Sequence, residues 1–431
     1  MTYDEAIQWL YDLRLFGLKF GLENTRRLAE LAGNPHQGLR FIHVAGTNGK
    51  GSTCAMIESV CRAAGLRVGL FTSPHLISFS ERIQVNRNPI SQAEVVRQVE
   101  RVREFVRLFP PDHSPTFFEA VTVMALRHFA AEHVDLVIWE TGLGGRLDAT
   151  NIVTPLVSVI TNVQFDHQPW LGDTLAKIAS EKAGIIKHAV PVVTGASEPE
   201  AMEVIRETAR RLDAPLRELA FGDYNRPPLD RLELPLLGEH QRRNAALALA
   251  AIECARDQLR IPPQAIESGL KTVDWPGRLQ TIRTAPGRVT LLDGAHNPDG
   301  VESLSAALHS HFSGLRPAFI IGVLKDKDWP AMCRTLAPLA SAIYLTPVAS
   351  SRSAAPEELQ AECLASQPTA RIHACGSLAE ALRFTEQEPL RVVTGSLYLV
   401  GEALERLAPT AARPQNERGL NEWQPTGDIR R

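Results

Sequence analysis

The sequence predicts an α/β protein of two parallel-sheet domains, the first the larger. Three observations carry that expectation. Short, continuous apolar runs alternate with helical stretches, a glycine-rich turn joins the first apolar run to a helix, and two Pro-Gly pairs divide the pattern. Strands covered by helices on both faces have no polar side and read as unbroken apolar runs, so parallel sheets follow. The first run starts at Phe41 and enters the turn. From Ser52 to Ala64, Cys54, Ile57, Glu58 and Cys61 fall at helical spacing, and Gly65 is placed to cap the helix C-terminus. A strand is expected at Val68 to Phe71, helices near Ser91 to Leu108 and Phe118 to Glu132, and a strand at Leu136 to Trp139. Strands at Leu156 to Ile160 and Val190 to Val193 flank a further helix. Pro276-Gly277 and Pro286-Gly287 bracket an expected linker. Beyond it, Val289 to Leu292, Ala318 to Val323, Ala342 to Leu345 and Arg391 to Thr394 read as strands of a second sheet. The expected organisation is a doubly wound domain over 1–276, a linker over 277–287, a smaller Rossmann-like α/β domain over 288–410, and a polar, aperiodic tail over 411–431, expected to be disordered.

Composition narrows the function classes. The 431 residues, 44% of them hydrophobic, suffice for two or three cores. A net charge of −3 from 46 basic and 49 acidic residues gives no global reason to bind nucleic acid or anionic membrane. The six cysteines form no C-x-x-C pair, which fits reduced thiols in a reducing compartment. The N-terminus is acidic and amphipathic, and no segment approaches the roughly 18 apolar residues of a membrane span. A cytoplasmic, monomeric protein acting on small molecules is expected.

The turn itself, Gly46-Thr47-Asn48-Gly49-Lys50-Gly51-Ser52, has the chemistry of a phosphate cradle. Glycines free the backbone N–H groups to converge on phosphate oxygens, Lys50 adds a point charge, and the helix that follows presents its positive end. The alternative is a tight strand-to-helix turn that binds nothing, although a lysine among three glycines serves no purpose there. Nucleotide binding, and a P-loop ATPase role for the first domain, is the reading adopted.

Open α/β sheets place their sites at the carboxyl ends of strands. Ser73 in Thr72-Ser73-Pro74-His75 follows one strand, and Glu140 ends another, where a P-loop protein needs a carboxylate for Mg²⁺. A second glycine-rich loop runs from Thr141 to Asn151, and Asp166-His167 closes a further strand. On a helix beginning near Asp173, Lys182 shares the stripe of Leu175, Ile178 and Ile185, whereas Lys177 and Glu181 lie off it. Its amine therefore points inward. One reading is a lysine snorkelling past an apolar edge; the other is a buried amine that loses its proton and reacts with CO₂ to form a metal-ligating carbamate.

In order along the chain stand GTNGKGS, TSPHL, ERIQV, ETGLGGRLDATN, EKAGI, HQRRN, PGR, DGAHNP and GSLYLV. This set, spread over most of residues 1 to 405, resembles the folylpolyglutamate synthase/dihydrofolate synthase branch of the Mur ligase superfamily. The resemblance implies an ATP-dependent ligase that activates a folate carboxylate as an acyl phosphate and joins it to L-glutamate. It implies ATP contacts from Gly46, Thr47, Asn48, Gly49, Lys50, Gly51 and Ser52, and from Asn244, Arg278 and Asp293, with His296 beside them. It implies Mg²⁺, two ions being expected, at Ser52, Ser73, Glu140 and His167, with carboxylated Lys182 in the same cluster. Lys50, Lys182, His167 and His296 are the expected catalytic residues. A dihydropteroate site is implied at Gly21-Leu22-Glu23, Thr116 and Arg146-Leu147-Asp148; Asn24 stands where the family usually carries arginine. For Phe117 and Phe118, core packing of at least one ring is favoured over pterin stacking.

Two other readings compete. A Mur-type cell-wall ligase shares the chemistry but normally carries a separate N-terminal domain, whereas about 40 residues precede the first strand here. A regulatory P-loop NTPase explains Lys50 and Glu140 but leaves Lys182, His167 and the second domain without a task.

Overall fold

A computed structural model describes residues 1–13, 21–408 and 417–421. They fall into two compact units, one within Met1–Glu233, Arg243–Val273 and Gly419–Arg431, the other within Leu234–Arg242 and Asp274–Arg418.

The first unit holds an eight-stranded sheet of β1 (Phe41–Ala45), β2 (Val68–Phe71), β3 (Ile83–Val85), β4 (Asn88–Pro89), β5 (Leu136–Glu140), β6 (Val157–Ile160), β7 (Val192–Thr194) and β8 (Leu216–Glu218), in the order β4-β3-β2-β5-β1-β6-β7-β8. All pairings are parallel except β2–β3 and β3–β4 at one edge. The apolar runs at β1, β2, β5 and β6 are wholly buried, as their lack of a polar face predicts. Helices α1 (Tyr3–Leu13), α2 (Glu23–Leu31), α3 (Lys50–Ala63), α4 (Gln92–Val106), α5 (Phe117–Ala131), α6 (Gln168–Leu171), α7 (Leu175–Ala183), α8 (Pro199–Arg211), α9 (Glu239–Cys254) and α10 (Pro263–Lys271) complete the helical set that begins here. After α3, Gly65 adopts φ +86°, and the Leu66 amide bonds back to the Cys61 carbonyl, closing the helix as expected. The chain leaves β1 toward β2 on one side and returns through β6 on the other. The carboxyl end of β1 is thus the topological switch point.

The second unit holds β9 (Gln280–Ala285), β10 (Arg288–Leu292), β11 (Ala318–Ile321), β12 (Ala342–Leu345), β13 (Ile372–Ala374) and β14 (Leu390–Thr394) in the order β13-β12-β11-β14-β10-β9, parallel except β9. Its later helices are α11 (Pro298–His311), α12 (Trp329–Leu336), α13 (Pro356–Ser366), α14 (Leu378–Phe384) and α15 (Leu397–Leu407).

Two boundary expectations are corrected. The stretch 277–287 is not a linker: it carries β9, which pairs antiparallel with β10. Gly277 and Gly287 both adopt φ +74°, so the Pro-Gly pairs mark turns at the two ends of a strand. Within the tail expected to be disordered, Glu417–Asn421 form a 3₁₀ turn with Leu420 buried in the first unit's core. A single apolar residue in a polar stretch gives no periodic signal, which is why composition missed it. The rest of 411–431 lies outside the described residues.

Candidate active site

The glycine turn is anchored to the loop after β6. Thr47 N–H donates to the Asn162 carbonyl at 3.1 Å, and Asn48 N–H to Asn162 Oδ1 at 2.7 Å. Thr161 Oγ1 donates to the Asn48 carbonyl at 2.6 Å, and Thr47 Oγ1 to the Gln164 carbonyl at 3.1 Å. Two positions admit only glycine. A Cβ at Gly46 would stand 1.8 Å from Thr161 Oγ1, and one at Gly49, where φ is +83°, 2.4 Å from Asn244 Oδ1. Asn244, singled out in the sequence, is thereby brought against the turn by α9; Thr161, Asn162 and Gln164 were missed as anchors, although T-N-V-Q directly follows an apolar run. Lys50 folds its ammonium back over the turn, donating to the carbonyls of Gly46 at 3.0 Å and Thr47 at 3.1 Å. Ser52 lies buried in the first turn of α3. A cation, a hydroxyl and a helix N-terminus therefore converge at the switch point.

Around the turn, the neighbouring strand ends supply charge. Glu140 is buried at the end of β5 and accepts the Ser73 amide at 2.9 Å. Glu140 and Lys50 both act on the buried Cys54 thiol, whose pKa is raised, first by desolvation and then by Glu140. Lys182, on α7, is 2% exposed, so the inward aim read from periodicity holds. Burial, then the nearby Lys50 cation, lower its pKa to about 7, while Asp166 opposes them. His167 stands at the head of α6 with φ +52°, its Nε2 3.8 Å from Asp166 Oδ1. Among the described residues no group of three or more His, Cys, Asp or Glu forms a metal cage. Glu140 and Ser52 each carry oxygen donors of the kind Mg²⁺ accepts.

The second glycine loop is shaped from within. Asp148 is buried and accepts from the amides of Gly142 (3.0 Å), Leu143 (2.8 Å) and Thr150 (3.0 Å) and from Thr150 Oγ1 (2.5 Å). Burial holds its carboxyl above the ordinary range against those donors. Its oxygens are thus committed to the loop. Asp148→Ala would leave three amides unpaired and is expected to destabilise the protein by about 3 kcal/mol or more, measured by urea denaturation. Thr116 caps α5 in a reciprocal box with Glu119, its N–H donating to Glu119 Oε2 at 2.7 Å and its Oγ1 accepting from the Glu119 amide at 3.4 Å. Arg146 is exposed and pairs with Glu181 at 2.7 Å, and Leu147 is half-buried. Gly21 and Leu22 lead into α2, which Glu23 begins. Phe117 packs on Phe79 with centroids 6.4 Å apart, a core role, whereas a Cβ at Gly142 would meet the Phe118 ring at 2.6 Å. Phe118 thus lines the loop.

In the second unit, Asp293 directly follows β10 and accepts the amides of Leu279 (2.9 Å) and Ala295 (3.0 Å). Burial raises its pKa and the Arg278 cation opposes that. Arg278 donates to the Gly277 carbonyl at 3.1 Å, and a Cβ at Gly294 would lie 2.3 Å from its Nη1. His296 Nδ1 stands 2.7 Å from the Gly294 carbonyl. Arg278, Asp293 and His296 therefore cluster at one strand end.

The model of the Mur ligase middle domain matches residues 44–252, and that of the Mur ligase glutamate ligase domain matches 277–397. The dihydrofolate synthase/folylpolyglutamate synthase of Bacillus subtilis is 38% identical over 433 residues, covering 94% of this chain and 99% of that protein. The chain belongs to this Mur ligase family. Its fold agrees: the folylpolyglutamate synthase of Thermotoga maritima superposes with a TM-score of 0.81 at 34% identity over 96% of this chain and 98% of that one. The Escherichia coli FolC structure in complex with DHPP and ADP gives 0.83 at 30% identity, covering 94% and 97%. Like its relatives, this Mur ligase is an ATP-dependent ligase with two α/β domains. No helix among the described residues is long and apolar enough to cross a membrane.

Proposed function

We propose that this ligase adds L-glutamate to tetrahydrofolates and also joins it to dihydropteroate, in a reducing, cytoplasmic setting. One observation supports the reading most: Lys182 is buried within electrostatic reach of Lys50 in the glycine turn, and Glu140 is buried at the end of the strand beside β1. In the first step a carboxylate oxygen of the acceptor attacks the γ-phosphorus of ATP, the bridging P–O bond to ADP breaks, and an acyl phosphate forms. Lys50 and the amides of 46–52 hold the charge of the transferring phosphoryl group, a task of positioning and electrostatics. The neutral amine of glutamate then attacks the acyl carbon, the C–O bond to phosphate breaks, and the amine gives up a proton as the amide forms. Ser52, Ser73, Glu140, His167 and a carboxylated Lys182 would hold Mg²⁺, which when bound supplies charge neutralisation at the phosphates. Asn244, Arg278, Asp293 and His296 are assigned to the nucleotide and its surroundings. Dihydropteroate use draws support from the resemblance at Gly21-Leu22-Glu23, Thr116 and Arg146-Leu147-Asp148, and from the likeness to the DHPP-bound E. coli enzyme. Since the side-chain oxygens of Thr116 and Asp148 are held by capping and by the loop, their part is to set backbone and loop shape.

The test is mass analysis of products from separate incubations with dihydropteroate and with tetrahydrofolate, each with ATP, Mg²⁺ and glutamate. A mass increase of one glutamyl residue is expected in both. ATP turnover indifferent to glutamate and to either pterin would replace this reading with that of a regulatory NTPase.

A further inference from the structure

The loop over residues 72–82 delivers Ser73 to Glu140 and is organised from two sides. From inside, the Glu81 carboxylate accepts the amides of Leu76 (2.7 Å), Ile77 (2.9 Å) and Ser78 (2.7 Å), gathering the loop into a nest. From outside, the buried Arg82 donates through Nε to His75 Nδ1 at 2.9 Å and lies over the Phe117 ring at 5.3 Å. The third partner comes from the far end of the chain. Asn421 Oδ1 accepts from Arg82 Nη2, and Asn421 Nδ2 donates to the His75 carbonyl at 2.9 Å, so one amide side chain ties the loop's middle to its end. Asn421 is 7% exposed, and its neighbours are equally seated: Leu420 is 1% exposed within the first unit's core, and a Cβ on Gly419 would meet Tyr11 Oη at 2.3 Å. Three consecutive residues are thus fitted into the first unit at the loop that presents Ser73.

We propose that Asn421 is a positioning residue of the active site, acting through Arg82 and His75 to hold the 72–82 loop in the conformation that sets Ser73 against Glu140. The inference rests on the metal-binding reading of Ser73 and Glu140 given above. A carboxamide suits the task because it offers an acceptor to the guanidinium and a donor to the carbonyl at once; aspartate keeps the first and loses the second. Loss of both leaves a buried guanidinium and a buried carbonyl short of a partner, which favours local opening of the loop over global unfolding.

The experiment compares full-length wild type, Asn421→Ala, Asn421→Asp and a chain ending at Asn416. Hydrogen exchange at the amides of residues 73–81 reads the loop without reference to activity. Mg²⁺ titration of glutamate ligation reads the consequence. Asn421→Ala is expected to speed exchange across 73–81 and to raise the Mg²⁺ concentration for half-maximal rate about tenfold, which is about 1.4 kcal/mol. Exchange in β7 and β8 should stay unchanged, and Asn421→Asp should fall between wild type and alanine. The truncated chain, which also loses the buried Leu420, should speed exchange across 73–81 at least as much as Asn421→Ala. Unchanged exchange in 73–81, or a Mg²⁺ dependence like wild type despite faster exchange, would overturn the proposal. A wild type whose ligation ignores Mg²⁺ would instead overturn the metal reading beneath it, with the exchange result still deciding whether Asn421 holds the loop.

Discussion

Lys50→Ala is expected to lower kcat about a thousandfold, the upper range seen when one charge-stabilising donor is removed, while leaving the protein folded. The reasons are local. Lys50 Nζ donates to the carbonyls of Gly46 and Thr47, at 3.0 and 3.1 Å, so it braces the turn without belonging to the apolar core. Two such bonds are worth about 1 kcal/mol each, a cost the fold absorbs because the turn is also tied to Asn162, Thr161 and Gln164. The γ-phosphoryl group has no such reserve, since the charge that grows on its oxygens must be met by preorganised donors. Lys50→Arg should not restore the rate: a planar fork replaces a compact point charge at a turn where a Cβ at Gly46 or Gly49 already has no room. Phosphate release gives kcat, and circular dichroism with thermal unfolding gives the fold. A rate within tenfold of wild type would remove Lys50 from the catalytic set.

Much of this site was legible in the sequence because its physical demands are local. A glycine turn between an apolar strand and a helix needs only consecutive residues, and β1, α3 and the strand ends at Phe71 and Glu140 follow from unbroken apolar runs. The inward aim of Lys182 followed from a period of three and four. What escaped were features whose cause is long-range. Asn162 and Thr161 clasp the turn across more than a hundred residues, and no pattern in T-N-V-Q announces that. β9 was hidden because Pro-Gly pairs signal a turn but not whether the residues between them join a sheet. The short β3 and β4 lack the length for a period-two pattern, so the antiparallel edge was missed. Asn421 sits in a stretch whose polarity reads as solvated chain, and only its seating beside Arg82 and His75 reveals its use. Asp148 was read as a substrate ligand, yet its carboxylate faces its own loop; composition shows an acid in a glycine loop but not which donors surround it.

Lys182→Ala is expected to abolish turnover as completely as Lys50→Ala, for a different reason. A lysine 2% exposed, with its pKa brought down to about 7, is neutral for an appreciable fraction at physiological pH, and only the neutral amine attacks CO₂. In that reaction the N–C bond forms, nitrogen gives a proton to solvent, and a neutral amine becomes an anion beside Lys50. Charge favours the product: the ammonium of Lys182 is opposed by Lys50, whereas a carbamate is attracted to it. The sign of the pH effect follows. As pH falls through about 7 the amine takes up its proton, so carbamate and activity should decline together, whereas an ordinary lysine at 10.5 would hold almost no free amine anywhere in that window. Wild type loaded with ¹³C-bicarbonate should show a carbamate carbon signal that fades on acidification and is absent from Lys182→Ala. Acetate or formate should return part of the activity to Lys182→Ala by placing a free carboxylate where the carbamate stood. Lys50→Ala should shift the loss of the carbon signal to higher pH, because removing that cation lets the Lys182 amine hold its proton more firmly. Full activity in Lys182→Ala without any additive, or wild type that gives no carbon signal at any pH, would return Lys182 to the role of a buried lysine that takes no part in metal binding.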